Sequence, residues 1–466
     1  MRNKIQLFLI SAICLLLAGC AGAPTQPVEG ESNIAGVDGA FHTEDSNSKE
    51  PQEISIVLDY FHAEQWSEII EDFNAQNADY HVTVLAPQPG EDMNAFRDDI
   101  MEEITAGQGP DILDQWYVDV YDYAAAGYIQ PWGEVFDDNE SQEFLPGIMN
   151  EGKIRGETYG IPYGWRLQTL VTSMERAGGK ESWTWSEMMD CVKNSDAMLL
   201  AQSESAYGII DDGILSDKSN TEFIDWENGT CDFSGSAFLE FLQFAKEYGA
   251  ETSNSREVKA KPMLTGESLA WEGTLWLDSR IDMGSMNFFD TVFENECVYI
   301  GYPHADGKGN RIVIGGEQFF LNGTCEQKEG AVVFIKYFLS EEVQNRFVKE
   351  QYEKRVNSYF SVRLSAINCL ISLDRNRVDD DVWTVIEDEI EVHVQPITQK
   401  QEEQFWGMIE RSSYYGEDII ELHRYTNDAL YGFFHGEQTA EETAEALQRS
   451  VEQFFDDTNN LKRPVK

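Results

Sequence analysis

Short apolar runs and helical patterns alternate along the chain from residue 53 onward. Residues 54–58 form an apolar run that predicts a buried strand, and the apolar residues from Trp66 to Phe73 recur at the spacing of a helix. The same order of patterns repeats, with strands predicted at 81–85 and 111–113 and a helix at 94–105. Because strands separated by helices pair in parallel, this pattern predicts an α/β fold with crossover helices.

The N-terminal region has a different pattern, which is typical of an export signal. A positively charged start precedes an apolar run at residues 5–17. A membrane-spanning helix needs about 20 apolar residues, so the run is too short to cross a bilayer. It ends in LAGC at residues 17–20, which resembles the lipobox of bacterial lipoproteins. That resemblance implies removal of residues 1–19 as a signal peptide and acylation of Cys20, which would anchor the mature protein on the extracytoplasmic face of the cell membrane. An ordinary cleaved signal with a chance cysteine is the alternative.

The segment after the signal differs in composition from the remainder of the chain. Residues 20–52 are rich in Gly, Ser, Pro, Glu and Asn and hold almost no large apolar side chains, so we expect a disordered tether. The roughly 400 residues that follow are too many for one hydrophobic core and suit two domains.

Charge and cysteine spacing limit the chemistry that the chain can support. The 84 acidic residues outnumber 34 basic ones, for a net charge of -50. Phosphate binding depends on clustered Lys and Arg, so nucleic acid is excluded as a partner. We expect no metal site and no organic cofactor, because the cysteines lack zinc or redox spacing. Buried thiols with one disulfide possible are expected at Cys191, Cys231, Cys297, Cys325 and Cys369.

Seven segments match, in order, the motifs of a known family. They are FNAQN at 73–77, ITAGQGPDI at 104–112, AAAGYIQP at 124–131, GETYGIP at 156–162, WTWSE at 183–187, GAVVFIKYFLSEEVQ at 330–344 and FHGEQTAEET at 434–443. Each also has a structural explanation: Thr184 and Glu187, for example, form a capping box. Ser182 and Trp183 stand where the family usually has a proline. Together the segments resemble the extracellular solute-binding proteins of ABC importers, in the group that mostly carries sugars.

This resemblance implies a two-lobed clamshell with the solute held in the cleft between two α/β lobes. By analogy, lobe one comprises 53–162 and 315–358, and lobe two comprises 163–314 and 359–466. The chain would cross between the lobes near 161–163, 314–318 and 357–362. The implied function is a lipid-anchored monomer that captures a sugar or oligosaccharide and delivers it to ABC permease subunits, with no catalytic residues.

Candidate site residues lie at the ends of predicted strands and at the crossings. Ligands of open α/β sheets bind beyond the carboxyl ends of the strands. Aromatic faces cover the C–H side of a pyranose, and charged side chains form strong hydrogen bonds with its hydroxyls. That rule selects Asp59, Tyr60, Asp114, Gln115, Trp116, Tyr163, Trp165 and Arg166, and family placement adds Trp271, Trp276 and Glu317. Core packing is the alternative for each tryptophan, and it is our interpretation of Trp226, Trp383 and Trp406.

Two other function classes stay open at this point. A lipid-anchored carbohydrate-active enzyme such as a glycosidase would need only two carboxylates, which an acidic chain supplies easily. A sensory or adhesive protein could use the same clamshell without transport. Turnover of oligosaccharides would identify the first of these, and the absence of permease genes beside the gene would favour the second.

Overall fold

The computed structural model describes residues 50–154, 156–195, 197–200, 209–215, 222–226, 228–249, 265–278, 284–293, 296–356, 359–378, 381–385 and 390–461. The predicted signal peptide, Cys20 and most of the predicted tether lie outside these residues. The first strand begins at Gln52, the last residue of the predicted tether.

The elements alternate between strand and helix in the first part of the chain, as the hydrophobic pattern predicts. The strands are β1 (Gln52–Val57), β2 (Tyr80–Leu85), β3 (Ile112–Asp114), β4 (Ile129–Gln130), β5 (Lys153–Ile154), β6 (Glu157–Thr158), β7 (Gly160–Pro162), β8 (Gly164–Ser173), β9 (Met198–Leu200), β10 (Ile224–Asp225), β11 (Thr230–Cys231), β12 (Ser268–Leu275), β13 (Cys297–Tyr299), β14 (Asn310–Val313), β15 (Gln318–Asn322), β16 (Phe360–Ser361), β17 (Asp381–Val385), β18 (Ile390–Val394) and β19 (Ser412–Tyr415). The helices are α1 (Tyr60–Gln65), α2 (Ser67–Gln76), α3 (Met93–Thr105), α4 (Val120–Ala126), α5 (Asp138–Ser141), α6 (Trp185–Lys193), α7 (Ser236–Tyr248), α8 (Met286–Val292), α9 (Lys328–Phe338), α10 (Glu341–Lys354), α11 (Leu364–Arg375), α12 (Gln399–Glu410), α13 (Glu417–Phe434) and α14 (Ala440–Leu461).

Sheet one has the strand order β2-β1-β3-β15-β4, with β7 paired to β15. Strand β1 pairs in parallel with β2 on one side and with β3 on the other. The chain therefore leaves β1 in one direction to reach β2 and passes to the opposite side to form β3. The carboxyl ends of β1 and β3 form a topological switch point, where the connections diverge and leave a crevice.

Two helices bury apolar faces on sheet one. Helix α2 buries Ile69, Ile70 and Phe73, and α9 buries Phe334 and Phe338 among others. Burial of one such side chain contributes about 1.5–3 kcal/mol. In both helices the buried residues recur at helical spacing.

Sheet two has the order β19-β14-β8-β12-β9, with β13 and β16 also paired to β8. The long strand β8 is central and runs antiparallel to β12, β13, β14 and β16. Helix α6 begins with the predicted capping box: the Glu187 N–H donates to Thr184, and the Thr184 N–H donates to the Glu187 carboxylate. Three further pairs, β5–β6, β10–β11 and β17–β18, stand apart from the two large sheets.

The chain passes between the sheets at two of the positions that the resemblance implies. Strand β7 of sheet one ends at Pro162, and β8 of sheet two begins at Gly164. A Cβ atom on Gly164 would lie 2.3 Å from the Tyr359 ring, so the close packing of this ring on the backbone requires glycine at position 164. Residues 314–317 lead back from β14 to β15. Asn357 and Ser358 of the third crossing lie outside the described residues, and the full lobe boundaries stay a prediction.

The described residues also show the state of the cysteines. All five that follow Cys20 are free thiols, with Cys297 buried and the other four half-buried. Within the same part of the chain no helix is long and apolar enough to cross a bilayer. No group of three or more His, Cys, Asp or Glu side chains there is arranged to hold a metal ion.

Candidate functional site

Two carboxylates mark the switch point of sheet one. Asp59 follows β1 and caps α1, with its Oδ1 accepting a hydrogen bond from the His62 backbone N–H at 2.8 Å. Asp114 ends β3 and accepts from the Trp116 backbone N–H at 3.1 Å. The Tyr117 hydroxyl donates to the Leu58 carbonyl at 3.1 Å and ties the two strand ends together. The parallel pairing of β1 and β3 thus brings these two predicted positions to one edge.

His62 lies between the two carboxylates. Its Nδ1 is 3.0 Å from an Asp59 oxygen and 3.9 Å from an Asp114 oxygen, and its ring stacks on Trp66 with a centroid distance of 4.5 Å. Burial lowers the pKa of His62, but the neighbouring carboxylates outweigh it and the net direction is upward. The same contact keeps the pKa of Asp59 below its ordinary value, although burial opposes this. His62 was not among the candidate residues predicted from the sequence.

Asp114 also binds a buried tyrosine. The Tyr163 hydroxyl donates to its Oδ2 at 2.8 Å. Burial raises the pKa of Asp114 to about 6, even though His62 and the hydrogen bonds from Trp116 and Tyr163 favour the charged form. Burial and the Asp114 charge together raise the pKa of Tyr163, so its hydroxyl stays protonated and acts as a donor. The pKa of Asp114 therefore lies well above that of an ordinary carboxyl group.

An ion pair joins the return crossing to sheet two. Glu317 precedes β15 and pairs with Arg166 of β8, where one guanidinium nitrogen lies 3.3 Å from Glu317 Oε2. The Gly315 N–H donates to the same oxygen at 3.2 Å. Burial raises the pKa of Glu317, and Arg166 opposes that shift. Since Glu317 is buried and about a third of the Arg166 side chain is exposed, the guanidinium is the part of the pair that a solute can reach.

Exposed aromatic rings lie beside these charged groups. Tyr60 and Phe61 of α1 are 38 % and 64 % exposed, and Trp116 is 45 % exposed. In the part of the chain that the structure describes, Tyr431 is the one other aromatic ring among the exposed large hydrophobic side chains. Exposed apolar patches on soluble proteins commonly mark binding sites. Phe61 was missed by the sequence analysis, although its position in the Asp-Tyr-Phe-His run after β1 could have indicated it.

Tyr163 and Trp165 do not contribute to this exposed surface. Both side chains are 0 % exposed. The Trp165 indole N–H donates to the Ser361 carbonyl at 2.9 Å, and its ring packs on Phe360 at 4.9 Å. A ring with no exposed face cannot stack on a solute in this conformation. We therefore correct the prediction that these two residues act as stacking platforms.

The remaining tryptophans have different positions. Trp276 is half-buried and packs against Phe360, with ring centroids 5.9 Å apart, near the start of β8. Trp271 is buried in the core, which favours the packing alternative for it. Trp226 and Trp406 pack against hydrophobic clusters, as we interpreted them. The Trp383 side chain lies outside the described residues.

Comparison with known proteins identifies the family. A model of the bacterial extracellular solute-binding protein family matches residues 68–367, which is more than half of the chain. The chain belongs to this family. The two-lobed α/β fold of its members agrees with the two sheets and the crossings described above. No curated protein sequence matches the chain.

Solved structures of other solute-binding proteins share the fold of this one. The sugar-binding protein MalE from Xanthomonas citri has a TM-score of 0.58 at 15 % identity, covering 89 % of this chain and 100 % of its own. The cyclic alpha-maltosyl-1,6-maltose binding protein from Arthrobacter globiformis has a TM-score of 0.55 at 14 % identity, with 87 % and 100 % covered. The GacH receptor of Streptomyces glaucescens has a TM-score of 0.54 at 14 % identity, with 87 % and 99 % covered. At these identities the likeness shows the fold alone.

Proposed function

We propose that this solute-binding protein is anchored to the outer side of the cell membrane through lipid on Cys20. There it captures a sugar or short oligosaccharide between its lobes and delivers it to an ABC import permease. Family membership supports solute capture. The names of its structural neighbours, which include a sugar-binding protein and a maltosyl-maltose binding protein, support a carbohydrate as the solute.

The observation that carries the sugar proposal is the group of exposed rings beside fixed charges at the switch point. Tyr60, Phe61 and Trp116 offer apolar faces, and Asp59 lies next to them with a depressed pKa that keeps its carboxylate ionised. A pyranose needs both, because its C–H face is apolar and its edge carries hydroxyls. A small ion would leave the three rings uncovered.

The opposite wall of the proposed site comes from sheet two and the crossing. The Arg166 side chain is about a third exposed and pairs with Glu317, and Trp276 lies near the start of the same strand. Closing two lobes on a ring removes both of its faces from water, which neither lobe can do alone. Gly316, with φ of 119°, lies on the crossing where a hinge would have to turn. We assign no catalytic role to any of these residues.

Calorimetry with a panel of mono- and oligosaccharides tests the sugar proposal. A micromolar dissociation constant corresponds to about -8.2 kcal/mol, and we expect Trp116→Ala to raise it at least tenfold, or about 1.4 kcal/mol. Trp116 is 45 % exposed and belongs to none of the hydrophobic clusters of the described residues, so this substitution leaves the core intact. Tyr431→Ala is the matched control, because Tyr431 is an exposed ring on α13, and it should not change the affinity.

Each contrary result points to a different error. Binding of a non-sugar solute without any sugar would refute the carbohydrate proposal and leave the family assignment intact. Hydrolysis of an oligosaccharide by the pure protein would favour the enzyme class. Equal affinity of wild type and Trp116→Ala would mean that the solute binds elsewhere.

The anchor has its own test. Cys20→Ala should release the protein to the medium or leave the signal uncleaved, because the acylated thiol supplies the lipid. Membrane fractionation and mass spectrometry of the N-terminal peptide measure both outcomes. A mature N-terminus at another residue with no lipid would contradict the proposal.

A further inference from the structure

Trp116 has a large ring, and the residue is 45 % exposed. Its backbone N–H is bound by Asp114, but that contact does not restrain the side chain. Among the described residues no other aromatic ring lies within stacking distance of the indole. A freely rotating platform would lose conformational freedom on binding a solute, which reduces affinity.

Arg97 of α3 contacts the Trp116 ring. Its guanidinium carbon lies 5.1 Å from the centroid of the Trp116 ring, within the range of a cation–π contact. Helix α3 is packed on the core of the protein, since Ile100 and Ile104 are buried and Phe96 packs edge-on against Tyr117. Arg97 therefore reaches the ring from a rigid element.

The contacts of Arg97 with the described residues do not include an ion pair. The chain has 84 acidic and 34 basic residues, yet in the described portion no carboxylate lies within ion-pair distance of Arg97. Its Nε is buried and has no hydrogen-bond partner there. Trp116 is the contact that the structure gives this guanidinium.

We infer that Arg97 is a positioning residue for solute binding: it stacks on one face of Trp116 and holds the opposite face ready for the solute. This inference rests on the proposed sugar-binding function. The planar guanidinium suits the role because it stacks on an aromatic face without needing an acidic partner. Lysine has a compact charge that does not stack as a plane, so it should replace arginine only in part.

A double-mutant cycle tests the inference by calorimetry with the best-bound sugar of the panel. We expect Arg97→Ala to raise the dissociation constant about three- to tenfold, the loss typical of freeing one side chain. Arg97→Lys should recover part of that loss. On the Trp116→Ala background, Arg97→Ala should have no further effect. The urea midpoints of all variants are measured beside the affinities, and Lys336→Ala is the control because its ammonium lies 5.7 Å from the Phe136 ring at another place.

The outcomes separate this inference from the function on which it rests. If the wild type binds no sugar, the proposed function fails first. If the wild type binds and Arg97→Ala binds equally well, the positioning role is refuted. If Arg97→Ala weakens binding equally with and without Trp116, or selectively for sugars that carry a carboxylate, then Arg97 contacts the solute directly and the positioning role is also refuted.

Discussion

Asp114→Asn tests whether burial controls the charge at the switch point. Burial raises the pKa of Asp114 from 3.8 to about 6. The folded protein therefore takes up a proton between about pH 6 and pH 4 that the unfolded chain takes up only at lower pH. A carboxyl group with a raised pKa contributes stability that is complete below its unfolded pKa and is lost as the pH rises through its folded pKa. The free energy of unfolding should thus increase on acidification through this window.

The size of the effect follows from the shift. About two pKa units correspond to about 3 kcal/mol at 1.36 kcal/mol per unit, and about 2 kcal/mol of this is gained between pH 6.5 and pH 4.5. His62 acts in the same direction, because its raised pKa also favours proton uptake by the folded state. Asparagine keeps an acceptor oxygen for the Tyr163 hydroxyl but has no proton to take up. In Asp114→Asn, the increase in the free energy of unfolding on acidification should therefore lack at least the part that comes from the carboxyl group.

Urea unfolding followed by tryptophan fluorescence at both pH values measures this difference. We expect the stability of the wild type relative to Asp114→Asn to grow by about 2 kcal/mol on going from pH 6.5 to pH 4.5. Tyr163→Phe is the control: it removes a buried hydrogen bond and lowers stability at both pH values, but it keeps the titrating carboxyl group and should keep the gain. An equal difference between wild type and Asp114→Asn at the two pH values would refute the reasoning.

Two further predictions concern packing and the contact between the sheets. Trp165→Ala should lower the free energy of unfolding by about 3–5 kcal/mol, because it removes a fully buried ring. Molecules of this variant that remain folded should bind solute with the wild-type dissociation constant. A tenfold loss of affinity without loss of stability would show that the ring contacts the solute. Arg424 of α13 lies 3.4 Å from Asp119, which precedes α4, so it links the two sheets. Both side chains are partly exposed, so Arg424→Gln should weaken solute binding only about two- to fivefold at low salt and should have no effect at 1 M salt. Calorimetry at the two salt concentrations measures this difference. A change in affinity that does not depend on salt would exclude loss of the ion pair as its cause.

Local features of the sequence were sufficient for the elements of the first part of the fold. Apolar runs and helical spacing predicted β1, β2, β3 and α3 to within two residues, since these signals depend only on neighbours along the chain. The capping box at Thr184 was equally local and is present as predicted. The family resemblance added the two-lobed arrangement, which periodicity alone could not have supplied.

The meeting of the charged residues was only partly predictable. The rule that ligands bind at strand ends selected Asp59 and Asp114, because both lie at the carboxyl ends of strands that pair in parallel. Nothing local indicated that His62 would lie between them, or that Glu317 would form an ion pair with Arg166 from a distance of about 150 residues along the chain. Such contacts depend on strand register and on the path of the crossings.

Trp116 and Trp165 show most clearly what the sequence determined and what it left to the tertiary structure. Both follow a strand and have polar neighbours, so the sequence determined that an aromatic ring would stand at each strand end. Trp165 is buried by residues about 195–240 positions later in the chain, which include Phe360, Ser361 and Phe405. Trp116 makes a cation–π contact with Arg97 and stays 45 % exposed. Burial depends on which distant segments pack over a residue, so only the tertiary structure decided which of the two rings can reach a solute.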